Sequence, residues 1–261
     1  MTSEPTQSVA PALYLIPVEI GDGPSDMSLP AGNQRIVSEI RTFIVENVRT
    51  ARRFLRKWDS SFPIDDCEFF ELNGHTSPEE VSGFLTPLRQ ERPVGVMSEA
   101  GCPAVADPGA DVVAIAQREG LKVVPLVGPS SILMSLMASG FNGQGFAFNG
   151  YLPIKDDQRA HALKELEARC ARLNQTQIFI ETPYRNNRMI SFLAEHLRPD
   201  TLLCVASDIS SPGKETIVTR PASQWRNNNK DFDKRPAIFL IHCQNIADPA
   251  KRHDNHCRKR R

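Results

Sequence analysis

The stretch from residue 93 to residue 127 constrains the fold more than any other part of this sequence. A short apolar run at 93–97 leads into a loop rich in glycine and proline, and residues 110–119 then carry apolar side chains at helical spacing. Gly120 is suited to end that helix, and residues 121–127 are again apolar and β-branched. This order predicts a βαβ unit, and therefore a parallel sheet with the long loop at the carboxyl end of the first strand.

The rest of the chain shows the same alternation of strand and helix. In the first half, residues 13–18 and 42–46 are predicted strands, and residues 51–58 are a predicted helix. The second half holds five predicted strands and three predicted helices: strands at 146–152, 177–181, 202–207, 216–219 and 237–242, and helices at 132–140, 160–171 and 186–197. Gly128-Pro129-Ser130-Ser131 separates the two sets, which predicts α/β domains at 13–127 and 128–243, the second with a mixed sheet. Residues 1–12 and the basic tail 244–261 are predicted to be disordered.

Composition predicts a soluble protein. Hydrophobic residues make up 40% and charged residues 24% of the 261, and no apolar run reaches the roughly 18 residues that cross a bilayer. The polar start lacks the pattern of a secretory signal, so we expect a cytoplasmic protein. The six cysteines form no Cys-x-x-Cys pair, and no zinc pattern fits the cysteines and histidines near the end, so we expect no metal. That terminal group is His242, Cys243, His253, His256 and Cys257.

Two loops are candidates for ligand binding. The sequence has neither a Gly-x-Gly-x-x-Gly fingerprint nor a Gly-Lys-Ser/Thr phosphate loop, so an ordinary nucleotide-binding Rossmann domain is not favoured. Residues 98–103 and 107–109 follow a predicted strand, where glycine lets loop backbone approach a ligand closely. Gly128-Pro129-Ser130-Ser131 precedes a predicted helix and offers a helix N-terminus to an anionic or hydroxyl group. The alternatives are a structural turn for the first loop and a helix cap for the second.

Six motifs in one order resemble a known family. They are Leu13-Tyr14-Leu15-Ile16-Pro17-Val18-Glu19-Ile20-Gly21, Glu46-Asn47-Val48-Arg49, Ser98 to Pro103 with Asp107-Pro108-Gly109, Pro125 to Ser130, Gly150-Tyr151-Leu152-Pro153 and Phe179 to Arg185. The family is the tetrapyrrole methylases, and within it the ribosomal RNA small subunit methyltransferase I branch. The resemblance covers residues 13–241 and is carried by the order of the motifs rather than by any one of them.

The resemblance implies a two-domain α/β fold, a mainly parallel N-terminal sheet and a mixed C-terminal sheet, with the ligand cleft between the domains of a homodimer. It implies S-adenosylmethionine as methyl donor. By resemblance, the candidates for donor binding are Pro17, Ser98, Ala100, Gly101, Ser130, Leu152 and Ala237. A purely structural role is the alternative for each, most of all for Pro17 and Leu152.

Departures from the family motifs leave the acceptor open. Asn47 and Val48 replace an Asp and a Thr, Glu99 replaces an Asp, and residues 206–210 read Ala-Ser-Asp-Ile-Ser in place of Ala-Arg-Glu-Leu-Thr. A ribose 2'-hydroxyl of small-subunit ribosomal RNA is the first expectation. The alternatives are a tetrapyrrole-like or other small acceptor, and a catalytically silent donor-binding protein associated with the ribosome.

Two carboxylates are candidate catalytic groups. Transfer of a methyl group from a sulfonium needs alignment above all, and a ribose hydroxyl also gains from a base that removes its proton. Glu46 ends a predicted strand and is the first candidate base, with an ion pair to Arg49 as the alternative; Glu181 is the second candidate. Basic residues of the helix after Glu46 could contact RNA phosphates, or form a solvated helix face. The candidate RNA-binding residues are Arg49, Arg52, Arg53 and Arg56, with Lys155, Arg159 and Arg185 added by resemblance.

Overall fold

The computed structural model describes residues 9–74 and 76–243. Both predicted tails lie largely outside this range, although Ala12, which falls within the first of them, is fully buried. The chain divides into two compact units: Met1–Ser131 with Ser210–Gly213, and Ile132–Ile209 with Lys214–Arg261. Among the described residues, no helix has both the length and the apolar character to span a membrane.

The first unit contains a parallel five-stranded sheet. Its strands are β1 (Leu13–Ile16), β2 (Thr42–Val45), β3 (Glu68–Glu71), β4 (Val94–Met97) and β5 (Val123–Pro125). They lie in the order β3-β2-β4-β1-β5, and every neighbouring pair is parallel. The carboxyl ends of all five strands therefore lie at one edge of this sheet. The prediction of a parallel N-terminal sheet is confirmed.

Helices cover both faces of this sheet. The helices of this unit are α1 (Ser25–Ser28), α2 (Ala31–Val37), α3 (Val48–Trp58), α4 (Pro78–Gly83), α5 (Thr86–Arg89) and α6 (Gly109–Arg118). Phe54 of α3 packs with Phe43 and Tyr14 on one face, whereas Val112 of α6 packs with Ile44 on the other. The alternation of Phe43 and Ile44 between two cores is what a strand buried on both faces requires.

A glycine in the central strand permits this packing. A Cβ at Gly95 would lie 2.5 Å from Ile16 Cδ1 and 3.0 Å from Phe43 Cδ1, closer than van der Waals contact allows. The neighbouring strands therefore fill the space above β4 with their own side chains, and any larger residue would force them apart.

The second unit contains a mixed sheet. Its strands are β6 (Phe146–Tyr151), β7 (Thr176–Ile180), β8 (Leu202–Ser207), β9 (Thr216–Pro221) and β10 (Ala237–His242), in the order β6-β7-β10-β8-β9. Only the β6–β7 pair is parallel. The helices α7 (Ser131–Ser139), α8 (Asp156–Leu173) and α9 (Asn186–His196) complete the unit, and side chains of α8 and α9 share a core with β7, β8 and β10. The predicted mixed sheet is confirmed.

Candidate functional site

The loops that follow β1 and β4 are joined by backbone hydrogen bonds. Val18 donates its N–H to the Gly101 carbonyl at 2.9 Å, and Gly101 donates its N–H to the Val18 carbonyl at 3.0 Å. Pro17, which is buried, and Gly101 are thus brought to the same place at the carboxyl edge of the parallel sheet. This edge is where open α/β sheets bind ligands.

Gly101 adopts a conformation that other residues rarely adopt. Its φ is +74°, and a Cβ there would lie 3.4 Å from Ile20 Cγ2 and 3.5 Å from the Pro129 carbonyl oxygen. The sequence predicts that Gly101→Val would block a ligand and leave the fold intact, and this stays a prediction. Any side chain at this φ also strains the loop, at a cost of about 1–2 kcal/mol.

A third loop packs against the first two. A Cβ at Gly128 would lie only 2.1 Å from Pro17 Cβ, so glycine is required where the chain passes this proline. The Cys102 thiol donates to the Pro129 carbonyl at 3.2 Å. Ser130 follows directly, and α7 begins at Ser131. The predicted donor-binding residues of the first unit therefore lie on three contacting loops, which supply backbone groups, hydroxyls and close glycine contacts, as a ligand cradle requires.

The turn before α6 is held by Asp107. Its Oδ1 accepts the N–H of Ala104 at 3.0 Å and the N–H of Gly109 at 2.7 Å. Ala104 and Ala106 both have positive φ, of 66° and 63°. These contacts agree with the alternative that this part of the loop is a structural turn. The other oxygen, Asp107 Oδ2, is buried and has no hydrogen-bond partner among the described residues.

Glu46 lies beside the donor-loop candidates. Val45 is in register with Met97, so Glu46 and Ser98 follow the ends of adjacent strands. Glu46 Oε1 accepts the N–H of Glu99 at 3.0 Å. The pKa of Glu46 is raised because burial penalises the charged form; the Glu99 N–H opposes this, and the negative charges of Asp107 and Glu99 add to it. Within the described chain no ion pair joins Glu46 to Arg49.

Helix α3 presents a basic face directly after Glu46. Asn47 caps the helix by accepting the N–H groups of Arg49 and Thr50. Arg52 pairs with Asp65 at 3.1 Å, and Arg56 donates to the Ser60 carbonyl. The exposed side chains of Arg49 and Arg53 have no hydrogen-bond or ion-pair partner in the part of the chain that the structure describes.

The candidates of the second unit have different surroundings. Leu152 is 7% exposed and belongs to the core, and Ala237 begins β10 opposite Ser207. Glu181 is buried and accepts from the backbone of Thr182 and from the Arg185 guanidinium at 2.7 Å. Its carboxylate is therefore already committed to hydrogen bonds within this unit.

Two of the basic candidates added by resemblance are tied to their own unit. Arg159 is 3% exposed and donates to the carbonyls of Pro153 and Ile154, so it fixes a turn and is not available to a phosphate. Arg185 is held by Glu181. Lys155, at the start of α8, is exposed.

The segment that departs from the family motif at 206–210 is fixed by an arginine that sequence reasoning did not single out. Arg235 pairs with Asp208 and donates to the Thr216 hydroxyl at 3.1 Å. Ser207, by contrast, has a buried hydroxyl without a partner among the described residues. Asp208 has a φ of 50°, in the left-handed region. Asp adopts this conformation more readily than most residues do.

The described residues contain no cluster of three or more His, Cys, Asp or Glu side chains suited to a metal ion.

Comparison with known proteins identifies the family. A family model described as Tetrapyrrole (Corrin/Porphyrin) Methylases matches residues 20–224. A protein of Vibrio cholerae named Ribosomal RNA small subunit methyltransferase I is 27% identical over 236 residues, which cover 89% of this chain and 77% of that protein. Its namesake in Mesorhizobium japonicum is 30% identical over 214 residues, or 82% and 69% of the two chains.

A solved structure supports the fold. The crystal structure of the methyltransferase CobJ is similar with a TM-score of 0.61, and the match covers 89% of this chain and 94% of that chain at 14% identity. The expected resemblance is thus confirmed by the family model, by the relatives and by the fold. The chain belongs to the tetrapyrrole (corrin/porphyrin) methylases, a family of methyltransferases, and membership implies S-adenosylmethionine as its methyl donor.

Proposed function

We propose that this methyltransferase transfers the methyl group of S-adenosylmethionine to a ribose 2'-hydroxyl of small-subunit ribosomal RNA. The observation that carries the proposal is the match to relatives bearing that name over most of their length. The basic face of α3, next to a carboxylate with a raised pKa, supports it because an RNA enzyme needs phosphate contacts close to its base.

The residues of the first unit fit the methyl donor. When bound, the donor supplies an electrophilic methyl group on a positively charged sulfur. The proposed donor-binding residues there are Pro17, Ser98, Ala100, Gly101 and Ser130, which lie on the contacting loops described above. Gly101 lets its loop adopt a positive φ and Gly128 lets the third loop pass close to Pro17, and the serine hydroxyls can accept or donate hydrogen bonds. Leu152 and Ala237 stay as candidates from the second unit.

Glu46 is the proposed general base. A base must accept the hydroxyl proton as the new bond to oxygen forms, and its efficiency improves as its pKa approaches the working pH. The raised pKa of Glu46 moves it in that direction. Glu181 is a weaker candidate because Arg185 and the Thr182 N–H already occupy its carboxylate.

Arg49 and Arg53 are the proposed primary phosphate contacts, since their guanidinium groups have no partner in the described structure. Arg52 and Arg56 lie on the same helix and could exchange their exposed partners for phosphate. Lys155 is a further candidate, whereas Arg185 has to leave Glu181 to contribute.

We also propose that the enzyme acts as a homodimer in the cytoplasm, where its ribosomal substrate is assembled. Exposed apolar side chains on one unit support the dimer. Leu133 and Met137 lie one turn apart on α7 and are 49% and 82% exposed, and Tyr151 at the end of β6 is 60% exposed. Apolar side chains of this kind are commonly covered by a partner. Light scattering on the purified protein tests the assembly.

The function is tested by mapping ribose methylation on ribosomal RNA from cells with and without this gene. We expect one 2'-O-methyl group of the small-subunit RNA to disappear and to be restored by the wild-type gene. Purified protein and labelled donor should restore it in vitro on subunits from the deletion strain. An unchanged map, together with methyl transfer to a small molecule from cell extract, would replace the RNA by a small acceptor.

A further inference from the structure

Glu99 connects two elements that lie far apart in the sequence. Its backbone N–H donates to Glu46 Oε1 at 3.0 Å, while its carboxylate accepts from Thr50 Oγ1 at 2.5 Å. Glu46 follows the last residue of β2, and Thr50 lies in the first turn of α3. One residue of the loop after β4 therefore contacts both the proposed base and the proposed RNA-binding helix.

The hydroxyl of Thr50 has a choice of acceptors. The Asn47 carbonyl lies at 3.0 Å and Asn47 Oδ1 at 3.5 Å, but a hydroxyl has a single proton to donate. Asn47 Oδ1 is also occupied by two backbone N–H groups of the helix cap. Glu99 is the nearer and the charged acceptor, so the proton goes to Glu99. The bond then ties the first turn of α3 to the donor-side loop.

The residue types of this chain suit the contact. Val48 offers no hydroxyl where the family motif has a Thr, and Glu99 is one methylene longer than the Asp of the motif. The first hydroxyl of α3 is therefore that of Thr50, and the longer acid reaches it. The departures from the motif at Val48 and Glu99 thus both favour the hydrogen bond between Thr50 and Glu99.

Building on the proposed function, we propose that Glu99 is a positioning residue for the acceptor: it holds the Glu46 carboxylate and the start of α3 in one arrangement, so that base and arginines address the same nucleotide. Loss of the side-chain contact should slow methyl transfer to RNA without weakening donor binding. Glu99 does not itself touch the reacting atoms.

Glu99 also affects Glu46 through its charge. The charged groups that face Glu46 are Asp107, on the loop before α6, and Glu99, both negative. Glu99→Gln removes one negative charge but keeps the length, the acceptor for Thr50 and the backbone N–H. Glu99→Asp keeps the charge but shortens the reach. The two variants therefore separate the charge of Glu99 from its hydrogen bond.

The test compares Thr50→Val, Glu99→Asp, their double variant and Glu99→Gln, with Thr86→Val as the control at an exposed threonine of α5. Loss of one charge-assisted hydrogen bond should lower the single-turnover rate on RNA about 5-fold to 10-fold, with donor affinity unchanged. The double variant should be no slower than either single variant, because both remove the same bond. Glu99→Gln should keep the high-pH rate and shift the acidic limb of the pH profile to lower pH.

Amide hydrogen exchange over residues 47–58 gives a readout that needs no substrate. Exchange should be faster in Thr50→Val and Glu99→Asp than in the parent and in Thr86→Val. Additive rate losses in the double variant, or unchanged exchange, would overturn the role of Glu99. A parent enzyme that methylates no ribosomal RNA would instead overturn the proposed function, and exchange alone would then decide whether Glu99 holds the helix.

Discussion

Glu46 and Glu181 both follow the last residue of a strand, yet their surroundings differ in almost every respect. Glu181 is buried and accepts hydrogen bonds from the Thr182 backbone and from Arg185. Glu46 accepts one backbone N–H, that of Glu99, and its charged neighbours are negative. A carboxylate beside a cation is stabilised in its charged form, whereas a partly buried carboxylate among negative charges gains affinity for a proton.

The basic residues near the two carboxylates also differ, because those near Glu181 form ion pairs and, in the part of the chain that the structure describes, two of those near Glu46 do not. In the second unit, Arg185 pairs with Glu181, and Arg159 and Arg188 both pair with Asp156. In the first unit, Arg49 and Arg53 have no partner in the described residues. Paired cations stabilise a turn, while unpaired cations are available to a polyanion without first losing an ion pair.

Position at a strand end does not by itself make a carboxylate catalytic. Whether the carboxylate can act as a base depends on how readily it accepts a proton. Its pKa, in turn, depends on neighbours that are distant in the sequence.

The largest effect is expected from Glu46→Gln. The variant keeps the shape of the side chain but cannot accept a proton, so the single-turnover rate of methyl transfer should fall about 100-fold or more. Donor affinity by calorimetry and RNA affinity by filter binding should stay at parent values. Glu68→Gln, at an exposed position on β3, is the matched control.

Glu46→Gln should not lower stability at neutral pH. A folded-state pKa above the unfolded value gives stability that is present at low pH and is lost as the pH rises through the folded pKa. Because Gln resembles the protonated form, the variant should unfold at the same or slightly higher denaturant concentration. An enzyme as fast as the parent would leave Glu46 with a structural role only.

Glu181→Ala should have the opposite effect to Glu46→Gln: we expect it to lower stability more than the rate of methyl transfer. Removing this buried carboxylate leaves the Arg185 guanidinium and the Thr182 N–H without their acceptor, and we expect unfolding free energy to fall by about 2 kcal/mol. Arg185 is 34% exposed, so water moderates the loss. Urea unfolding measures it, with Glu195→Ala on α9 as control. A stable variant with a rate loss like that of Glu46→Gln would exchange the roles of the two carboxylates.

Much of the architecture could be predicted from the sequence, because apolar periodicity records burial. The strands at 42–45, 94–97 and 202–207 match the predicted runs closely. The short helices α2, α4 and α5 and strand β3 were not predicted, since β3 is only partly buried and the helices show less than three turns of pattern. Helix α8 begins at Asp156, earlier than predicted, because its first turn carries polar residues.

The loops of the candidate site were predictable, but their contacts were not. Glycine and proline mark 98–103 and 128–130 as special turns, whereas the contact of Gly128 with Pro17 depends on the order of strands in the sheet. Likewise, the burial of Arg159 is not visible in a sequence where it lies among charged residues of α8. Partners remote in the chain decide which basic side chains are available.

Reversing two charges on α3 tests whether two arginines of this helix bind RNA and the basic residues of the second unit do not. Arg49→Glu with Arg53→Glu should weaken RNA binding about tenfold at moderate salt and lower the slope of log affinity against log salt by about 1–2. Donor affinity should not change. The control, Arg169→Glu with Arg172→Glu on the exposed face of α8, should have a small effect. Equal losses in both variants would indicate general electrostatic attraction instead of a site on α3.

The smallest effect concerns the pH dependence set by Asp107. Glu46 acts as a base only when deprotonated, so the rate should be low below its raised pKa and should rise as the pH increases through that value. Asp107→Asn removes a negative charge near Glu46 but keeps an oxygen that can accept the N–H groups of Ala104 and Gly109. With the turn intact and the repulsion removed, the pKa of Glu46 should fall, and the acidic limb of the single-turnover profile should move to lower pH with the plateau unchanged. Asp156→Asn, in the second unit, should leave the limb in place because its charge does not act on Glu46. A limb that stays fixed in Asp107→Asn and also persists in Glu46→Gln would assign the titration to a different group.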